Sequence, residues 1–184
     1  IDCDLGEASV QIASDSYSIG ELATRRLIDD GCSRILCLRN NSRMRMPANK
    51  RTDAYHDVVE QAGLPALVRE AEFVKSDDEK SAVVAKILDE NPDIDGIFAG
   101  DDTMAAICLN VMKQRGLSAP DDIKVVGADG ARRTMTFMPD LTTVRQDIDR
   151  IGELAAQSII ALINGDKPES NIKLPVELIE GKTA

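Results

Sequence analysis

The chain has 184 residues, of which 43% are hydrophobic and 29% are charged, which are the proportions of a folded globular protein rather than a disordered one. Its net charge of −10 argues against a direct grip on nucleic acid, which needs clustered lysine and arginine. No apolar run approaches the ~18–20 residues that cross a bilayer, and the first ten residues do not resemble a signal peptide. We therefore expect a soluble protein with no membrane partner.

The cysteines give no sign of a metal or redox centre, because none of them shows CxxC spacing. Cys37 and Cys108 lie within apolar runs, as buried thiols do. The chain also lacks a Gly-rich phosphate loop and a cluster of metal ligands. We expect no cofactor and no metal, and a reducing, cytoplasmic setting suits the unpaired thiols.

Strands and helices alternate along the first half of the chain. Short apolar runs predict strands at 1–4, 10–13, 34–38 and 72–74. Apolar residues that recur every three to four positions predict helices at 19–30, 51–61 and 77–90. Gly31 and Gly63 follow two of these helices, and glycine commonly ends a helix.

The second half continues the same alternation. The predicted strands are 96–99, 123–127, 141–145, 172–174 and 176–179. The predicted helices are 102–115 and 148–163, with a short one near 130–136. This order is typical of an α/β fold in which helices cover both faces of a mainly parallel sheet.

Polar side chains follow two strands of the second half. Asp129 comes just after the apolar run 123–127, and Gln146 follows the extended segment 141–145. Ligands of open α/β sheets bind beyond the carboxyl ends of the strands. A carboxylate accepts hydrogen bonds and a neutral amide both donates and accepts, as recognition of a polyol requires. The sequence therefore predicts a site for a small polar molecule at Asp129 and Gln146.

The stretch from residue 124 to residue 156 resembles the effector-binding core of LacI/GalR transcriptional regulators. The matching motifs are VVGAD at 125–129, PDLTTVRQD at 139–147, and G-x-x-A-A at 152–156. The resemblance extends over nearly all of this chain, but the chain covers only part of the family's core. It implies a periplasmic-binding-protein-like α/β fold, in which two doubly wound parallel-sheet lobes are joined by three crossovers and the first lobe is incomplete.

The resemblance also implies how the chain is divided. Residues 1–31 and 146–171 would form part of an amino-terminal lobe, and residues 33–145 with 172–184 would form the carboxyl-terminal lobe. Roughly two βα units of the family's amino-terminal lobe have no counterpart here. The predicted helices 19–30 and 148–163 carry apolar faces that need burial, so we expect the rest of that lobe to be present in the whole protein.

Arg51, at the start of the predicted helix 51–61, is a further candidate ligand residue. Family members often have arginine here, followed after two residues by glycine and an aromatic, and that arginine holds the effector. In this chain Ala54 replaces the glycine and Tyr55 is the aromatic. A guanidinium at a helix start can pair with hydroxyls or with a carboxylate, although a solvated arginine is the alternative.

Two acidic residues, Asp101 and Asp102, lie between the strand 96–99 and the next helix. One of them is expected to cap the helix by accepting from the free N–H groups of its first turn. The resembling family commonly has Asn-Asp here, and the asparagine reaches the effector. This implies that Asp102 is the cap and that Asp101 binds the effector, with a negative charge in place of an amide.

The remaining site assignments rest on the resemblance. Asp129 corresponds to an acid that accepts hydrogen bonds from sugar hydroxyls, and the alternative is a cap for the short helix near 130–136. Ser18 matches a position that contributes from the opposite lobe. Phe73 or a neighbour would supply an apolar wall.

An enzyme is not expected, because the only histidine, His56, has no nucleophile at a meaningful spacing. The resemblance implies a ligand-sensing domain that binds a sugar, a nucleoside or a related metabolite between its lobes. It would control operator binding by a homodimeric repressor, through a DNA-binding headpiece absent from this chain. The alternative is a periplasmic sugar-binding protein of a transport system, whose fold is similar. The PxLTTVxQD run favours the regulator.

Overall fold

The computed structural model describes residues 10–41, 49–72 and 76–184. Its strands are β1 (Gln11–Ser14), β2 (Ile35–Asn41), β3 (Leu67–Glu72), β4 (Gly96–Ala99), β5 (Lys124–Asp129), β6 (Thr142–Gln146), β7 (Asn171–Leu174) and β8 (Val176–Ile179). Its helices are α1 (Ser16–Asp29), α2 (Asn49–Gln61), α3 (Asp77–Glu90), α4 (Asp102–Gln114), α5 (Arg132–Phe137) and α6 (Ile148–Ile163). The predicted α/β alternation is confirmed, and the predicted strand 1–4 lies outside the described residues.

Six strands form the main sheet, in the order β3-β2-β4-β5-β6-β8. All neighbouring pairs run parallel except β6 and β8, which are antiparallel. β1 and β7 form a separate two-stranded parallel sheet. β3, expected at 72–74, is found at Leu67–Glu72, since an edge strand with charged residues lacks the apolar run that marks a central strand.

Helices cover both faces of the main sheet because the apolar side chains of its strands alternate. In β2, Leu36 and Leu38 belong to one cluster with α3 and α4, whereas Ile35 and Cys37 belong to another with α1 and α2. Full burial of one such aliphatic side chain contributes roughly 1.5–3 kcal/mol. The doubly wound arrangement follows from this alternation. Among the described helices, none is long and apolar enough to cross a membrane.

The packing of α1 disagrees with the predicted lobe boundary at residue 31, which placed this helix in the amino-terminal lobe. Ile19, Ala23 and Leu27 are fully buried in the same cluster as Phe98 and Val126 of the main sheet. Residues 172–174, expected to belong with the carboxyl-terminal lobe, pair with β1 instead. The apolar face of α1 is therefore covered by the larger sheet. The division into two lobes stays a prediction, and these contacts favour boundaries near residues 15, 147 and 174.

The helices α1 and α2 lie side by side, and Gly20 marks a point of close approach. A Cβ atom at this position would collide with the carbonyl oxygen of Arg51. Near the same contact, Tyr17 Oη donates a hydrogen bond of 2.7 Å to Asp57 of α2. The absence of a side chain at Gly20 therefore sets where the first turn of α2, and with it Arg51, can lie.

One buried carboxylate ties the start of α4 to the ends of β5 and β6. Asp102 is 3% exposed, and its Oδ1 accepts from Thr143 Oγ1 at 2.6 Å while its Oδ2 accepts from Gly130 N at 2.8 Å. Gly127 leaves space for this group, since a Cβ there would lie 2.6 Å from Asp102 Oδ1. Burial raises the pKa of Asp102 to about 6, although the bonds from Thr143 and Gly130 oppose the rise.

Gly20→Ala is expected to destabilise the protein by about 1–3 kcal/mol, because the added methyl group forces α1 and α2 apart. Urea denaturation measures the change. The matched control is Gly152→Ala in α6, where a Cβ meets no atom within 4 Å. That substitution should be neutral or stabilising by up to ~1 kcal/mol, from helix propensity alone. Equal effects at the two positions would contradict the proposed close approach.

Asp102→Asn should change how stability depends on pH. The folded protein binds the proton of Asp102 more tightly than the unfolded chain, so the stability of the unsubstituted protein falls as pH rises from about 4 to about 6. The asparagine variant lacks this contribution and should gain on the order of 2–3 kcal/mol relative to the unsubstituted protein over that window. Denaturation at successive pH values measures the difference, and parallel profiles would refute the buried, titrating carboxyl.

Candidate functional site

Three of the predicted site residues are joined by hydrogen bonds. Asp129 Oδ1 accepts from Arg51 Nη2 at 3.0 Å and from Gln146 Nε2 at 2.6 Å. Arg51 Nη1 also donates to the carbonyl oxygen of Gly100 at 2.6 Å. A carboxylate, a guanidinium and an amide that are far apart in sequence therefore form one polar cluster.

The sheet topology explains this cluster. β4, β5 and β6 are parallel neighbours, so Gly100, Asp129 and Gln146 lie at the same carboxyl edge. Arg51 reaches that edge from the first turn of α2, which follows the neighbouring strand β2. Tyr55, one turn later, anchors α2 by donating to Ile35 O at 2.7 Å. The cluster thus lies where ligands of doubly wound sheets bind.

The backbone of Asp129 is strained. Its φ of 111° is a conformation that residues other than glycine rarely adopt, at a typical cost of about 1–3 kcal/mol. Gly130 follows with a φ of 58°, and a Cβ there would lie 2.6 Å from Arg145. Hydrogen bonds hold the strained residue in place. Arg51 and Gln146 donate to its side chain, and the N–H of the following residue, Gly130, donates to Asp102. Strain held in this way is typical of functional sites.

The carboxylate, rather than the guanidinium, is the accessible member of the ion pair. The Asp129 side chain is 35% exposed and the Arg51 side chain only 9%. Burial raises the pKa of the Asp129 carboxyl above its ordinary value, against the opposing effect of the Arg51 guanidinium. Among the described residues, the buried Nε of Arg51 has no hydrogen-bond partner. This geometry favours a role for Arg51 in holding Asp129, whereas direct contact of Arg51 with a ligand stays a prediction.

The roles expected for Asp101 and Asp102 need correction. Asp101 is the N-cap of α4, with an extended backbone and a side chain that accepts from Met104 N at 2.7 Å. Asp102, the expected cap, turns inward to Thr143 and Gly130 because its position in the first turn faces the ends of β5 and β6. Asp101 still lies beside the cluster, and its contact with an effector stays a prediction.

Among the described residues, no hydrogen bond joins Ser18 to this cluster, and the other expected contributor is not described. Ser18 is in the first turn of α1, where its backbone N–H donates to Asp15 Oδ1 at 3.3 Å, and its predicted contact is untested. Phe73 lies outside the described residues. The alternative that Asp129 caps α5 is wrong, because Ala131 is the N-cap and no side chain bonds there.

A groove of about 790 Å³ adjoins the cluster at Gln146. It is lined by α5, by the junction between β6 and α6, and by the start of β8, and it also reaches Gly130. Its volume is within the range of small-molecule sites. Within the described ranges, no group of three or more His, Cys, Asp or Glu side chains is placed to hold a metal ion.

Two structural contributors escaped the sequence analysis. Asp102 stands beside another aspartate at a helix start, so no local signal separates the cap from the buried anchor. Gly20 gave a usable signal, since a glycine inside a helical pattern often marks a close approach between backbones. The anchor at Asp102 depends on Thr143, 41 residues further along the chain.

Comparisons with known proteins agree on one family. Residues 24–184 match the model of the periplasmic binding protein-like domain. The ribose operon repressor of Halalkalibacterium halodurans is 32% identical over 94% of this chain and 51% of its own length. The sucrose operon repressor of Pediococcus pentosaceus is 32% identical over 93% of this chain and 53% of its own length. The chain thus spans about half the length of these curated relatives.

The fold agrees with that of a solved regulator. The structure of the transcriptional regulator CelR–cellobiose complex superimposes with a TM-score of 0.84, at 26% identity, over 98% of this chain and 56% of that one. The family match covers most of the chain, and the named relatives are operon repressors. This chain therefore belongs to the periplasmic binding protein-like domains, within the LacI/GalR family of transcriptional regulators.

Proposed function

We propose that this chain is the ligand-sensing core of a DNA-binding transcriptional regulator, with a small polyhydroxylated effector bound at Asp129. The observation that best supports this proposal is the geometry of the Asp129 carboxylate. Among the described residues, the donors to this carboxylate are Arg51 and Gln146, and both bond to Oδ1, so a ligand can donate to Oδ2. A carboxylate fixed in this way is a strong acceptor for a sugar hydroxyl.

The names of the relatives support a sugar as the effector. They include repressors of ribose and sucrose operons and a regulator in complex with cellobiose. A sugar presents several hydroxyl groups, each able to donate and accept. Asp129 supplies the acceptor. The Oε1 and second N–H of the Gln146 amide, which bond to no other side chain in the described part of the protein, supply one further acceptor and donor. The same relatives favour a regulator over a transport protein or an enzyme.

Effector binding would act on DNA through the arrangement of the two sheets. Gln146 ends β6 of the main sheet, and α6, which packs against β1, begins two residues later. A ligand held at Gln146 therefore contacts the crossing between the larger and the smaller sheet. If it binds one arrangement better, it shifts the population towards that arrangement. The change would reach operator DNA through a headpiece outside this chain, in a homodimer.

An apolar surface on α6 supports the presence of further protein around the smaller sheet. Ile159, Ile160, Leu162 and Ile163 are all more than half exposed, up to 78% for Ile163. Two parallel strands, β1 and β7, do not make a stable sheet by themselves. The relatives are about twice as long as this chain. We infer that additional strands and helices of the same lobe cover this surface in the whole protein.

Asp129→Asn should weaken effector binding by at least ~1.5 kcal/mol, because an amide replaces a charged acceptor while the bonds from Arg51 and Gln146 can persist. Isothermal calorimetry with ribose, sucrose and cellobiose measures the affinity. Asp121→Asn, an exposed change of equal charge before β5 and thus at the opposite sheet edge, is the control. Unchanged affinity in the Asp129 variant would remove this residue from the site. Failure of the folded, full-length protein to bind any of the three would contradict the proposed function.

Ile159→Glu combined with Ile163→Glu should change self-association in the isolated 184-residue chain and stability in the full-length protein. In the 184-residue chain alone, the double substitution should reduce self-association, measured by light scattering, because it breaks up an exposed apolar surface. In the full-length protein it should lower the free energy of unfolding, since the same side chains become buried. Gln157→Glu adds a charge to the exposed part of the same helix and is the control. Equal stability of the full-length protein and its double variant would contradict burial.

A further inference from the structure

The peptide bond that follows Asp129 is held by a side chain that is itself out of reach of a ligand. The N–H of Gly130 donates to Asp102 Oδ2 at 2.8 Å, and Thr143 Oγ1 donates to Asp102 Oδ1 at 2.6 Å. Asp102 is only 3% exposed, and each of its two oxygens accepts a bond from the protein. Asp102 can therefore act on an effector only through the residues that it holds.

The orientation of that peptide bond decides where the Asp129 side chain points. The register of β5 with β6 fixes the strand as far as Asp129, which lies opposite Arg145. The backbone then takes a φ of 111° at Asp129 and a φ of 58° at Gly130. A residue other than glycine keeps such a conformation only where the surrounding structure holds it. Without an acceptor for the N–H of Gly130, we expect Asp129 to relax and to turn its side chain away from Arg51 and Gln146.

The strand β5 also makes room for the group that holds this turn. A Cβ atom at Gly127 would lie 2.6 Å from Asp102 Oδ1 and 3.3 Å from Thr143 Oγ1. The absence of a side chain at Gly127 thus lets the carboxylate lie against β5, within reach of the N–H of Gly130. The contact depends on the shape of three elements, since Asp102 begins α4 and Thr143 belongs to β6.

We propose that Asp102 is a positioning residue for effector binding, which holds the Asp129 carboxylate in its binding orientation through the N–H of Gly130. The inference rests on the proposed function, namely that a sugar binds at Asp129. The position requires an acceptor for that N–H rather than a negative charge. An asparagine meets the requirement, because its Oδ1 can accept from Gly130 while its amide donates to the hydroxyl of Thr143. A leucine has a similar size and offers no acceptor.

Calorimetry with the full-length protein and with ribose, sucrose and cellobiose tests the proposal. For any sugar that the unsubstituted protein binds, Asp102→Leu should weaken binding at least ~10-fold, whereas Asp102→Asn should keep the affinity within about 3-fold. Circular dichroism establishes that each variant is folded at the temperature of the titration. Val84→Ala, a buried change in α3, is the control for a loss of stability alone, and it should leave the affinity unchanged.

A second pair of variants changes the same contact more gently. Thr143→Val keeps the shape of the side chain and removes the hydroxyl that fixes Asp102, so it should weaken binding at least ~3-fold. Thr143→Ser keeps the hydroxyl and should bind as the unsubstituted protein does. If Asp102→Leu does not fold, this pair decides, and equal affinities of the valine and serine variants overturn the proposal.

The Asp129→Asn background shows whether Asp102 acts through that carboxylate. If it does, Asp102→Leu and Asp129→Asn together should weaken binding by less than the product of their separate factors. Multiplying factors would overturn the route through Asp129. An equal loss in Asp102→Leu and Asp102→Asn would overturn the requirement for an acceptor.

The remaining outcomes separate this inference from the proposed function. If a folded Asp102→Leu variant binds a sugar as tightly as the unsubstituted protein does, the positioning role is wrong and the sugar-binding core stands. If the unsubstituted full-length protein binds none of the three sugars, the proposed function falls and this inference falls with it.

Discussion

The buried carboxylate of Asp102 is the constraint around which the carboxyl edge of the main sheet is built. It joins the first turn of α4 to the hydroxyl of Thr143 in β6 and to the backbone N–H of Gly130 after β5. A buried polar group needs such partners, because an unpaired one costs several kcal/mol. Since Gly130 directly follows Asp129, the same bonds hold the strained backbone on which the ligand-binding candidate depends.

The ion pair between Arg51 and Asp129 adds a second layer to this arrangement. The main effect of this ion pair is to orient the Asp129 carboxylate, because partly buried pairs often contribute little net stability after desolvation. The position of Arg51 depends in turn on Gly20, whose missing side chain lets α1 approach the start of α2. Packing between two helices thus helps to place the guanidinium that holds the carboxylate at the sheet edge.

The candidate site lies at the crossing of the chain between the two sheets, and the proposed regulation depends on this position. Asp129 and Gln146 belong to the main sheet, whereas α6, which starts two residues after Gln146, packs on β1 beside β7. A ligand held by Gln146 therefore sits next to the chain segment that any relative movement of the two sheets must bend. In the proposed function, such a movement would carry the effect of the ligand to DNA, with an energy limited by the difference in affinity between the two arrangements.

The sequence by itself determined the alternation of strands and helices and the polar residues after β5 and β6. The spacing of apolar residues and the residues that follow a strand are local properties of the chain. Its motifs also indicated the family. Only the tertiary structure decided that α1 belongs with the main sheet, because an apolar helix face does not specify its partner. Tertiary structure likewise decided that Asp101 caps α4 while Asp102 is buried. Two adjacent aspartates are alike in sequence, and only contacts with Thr143 and Gly130, distant along the chain, distinguish them.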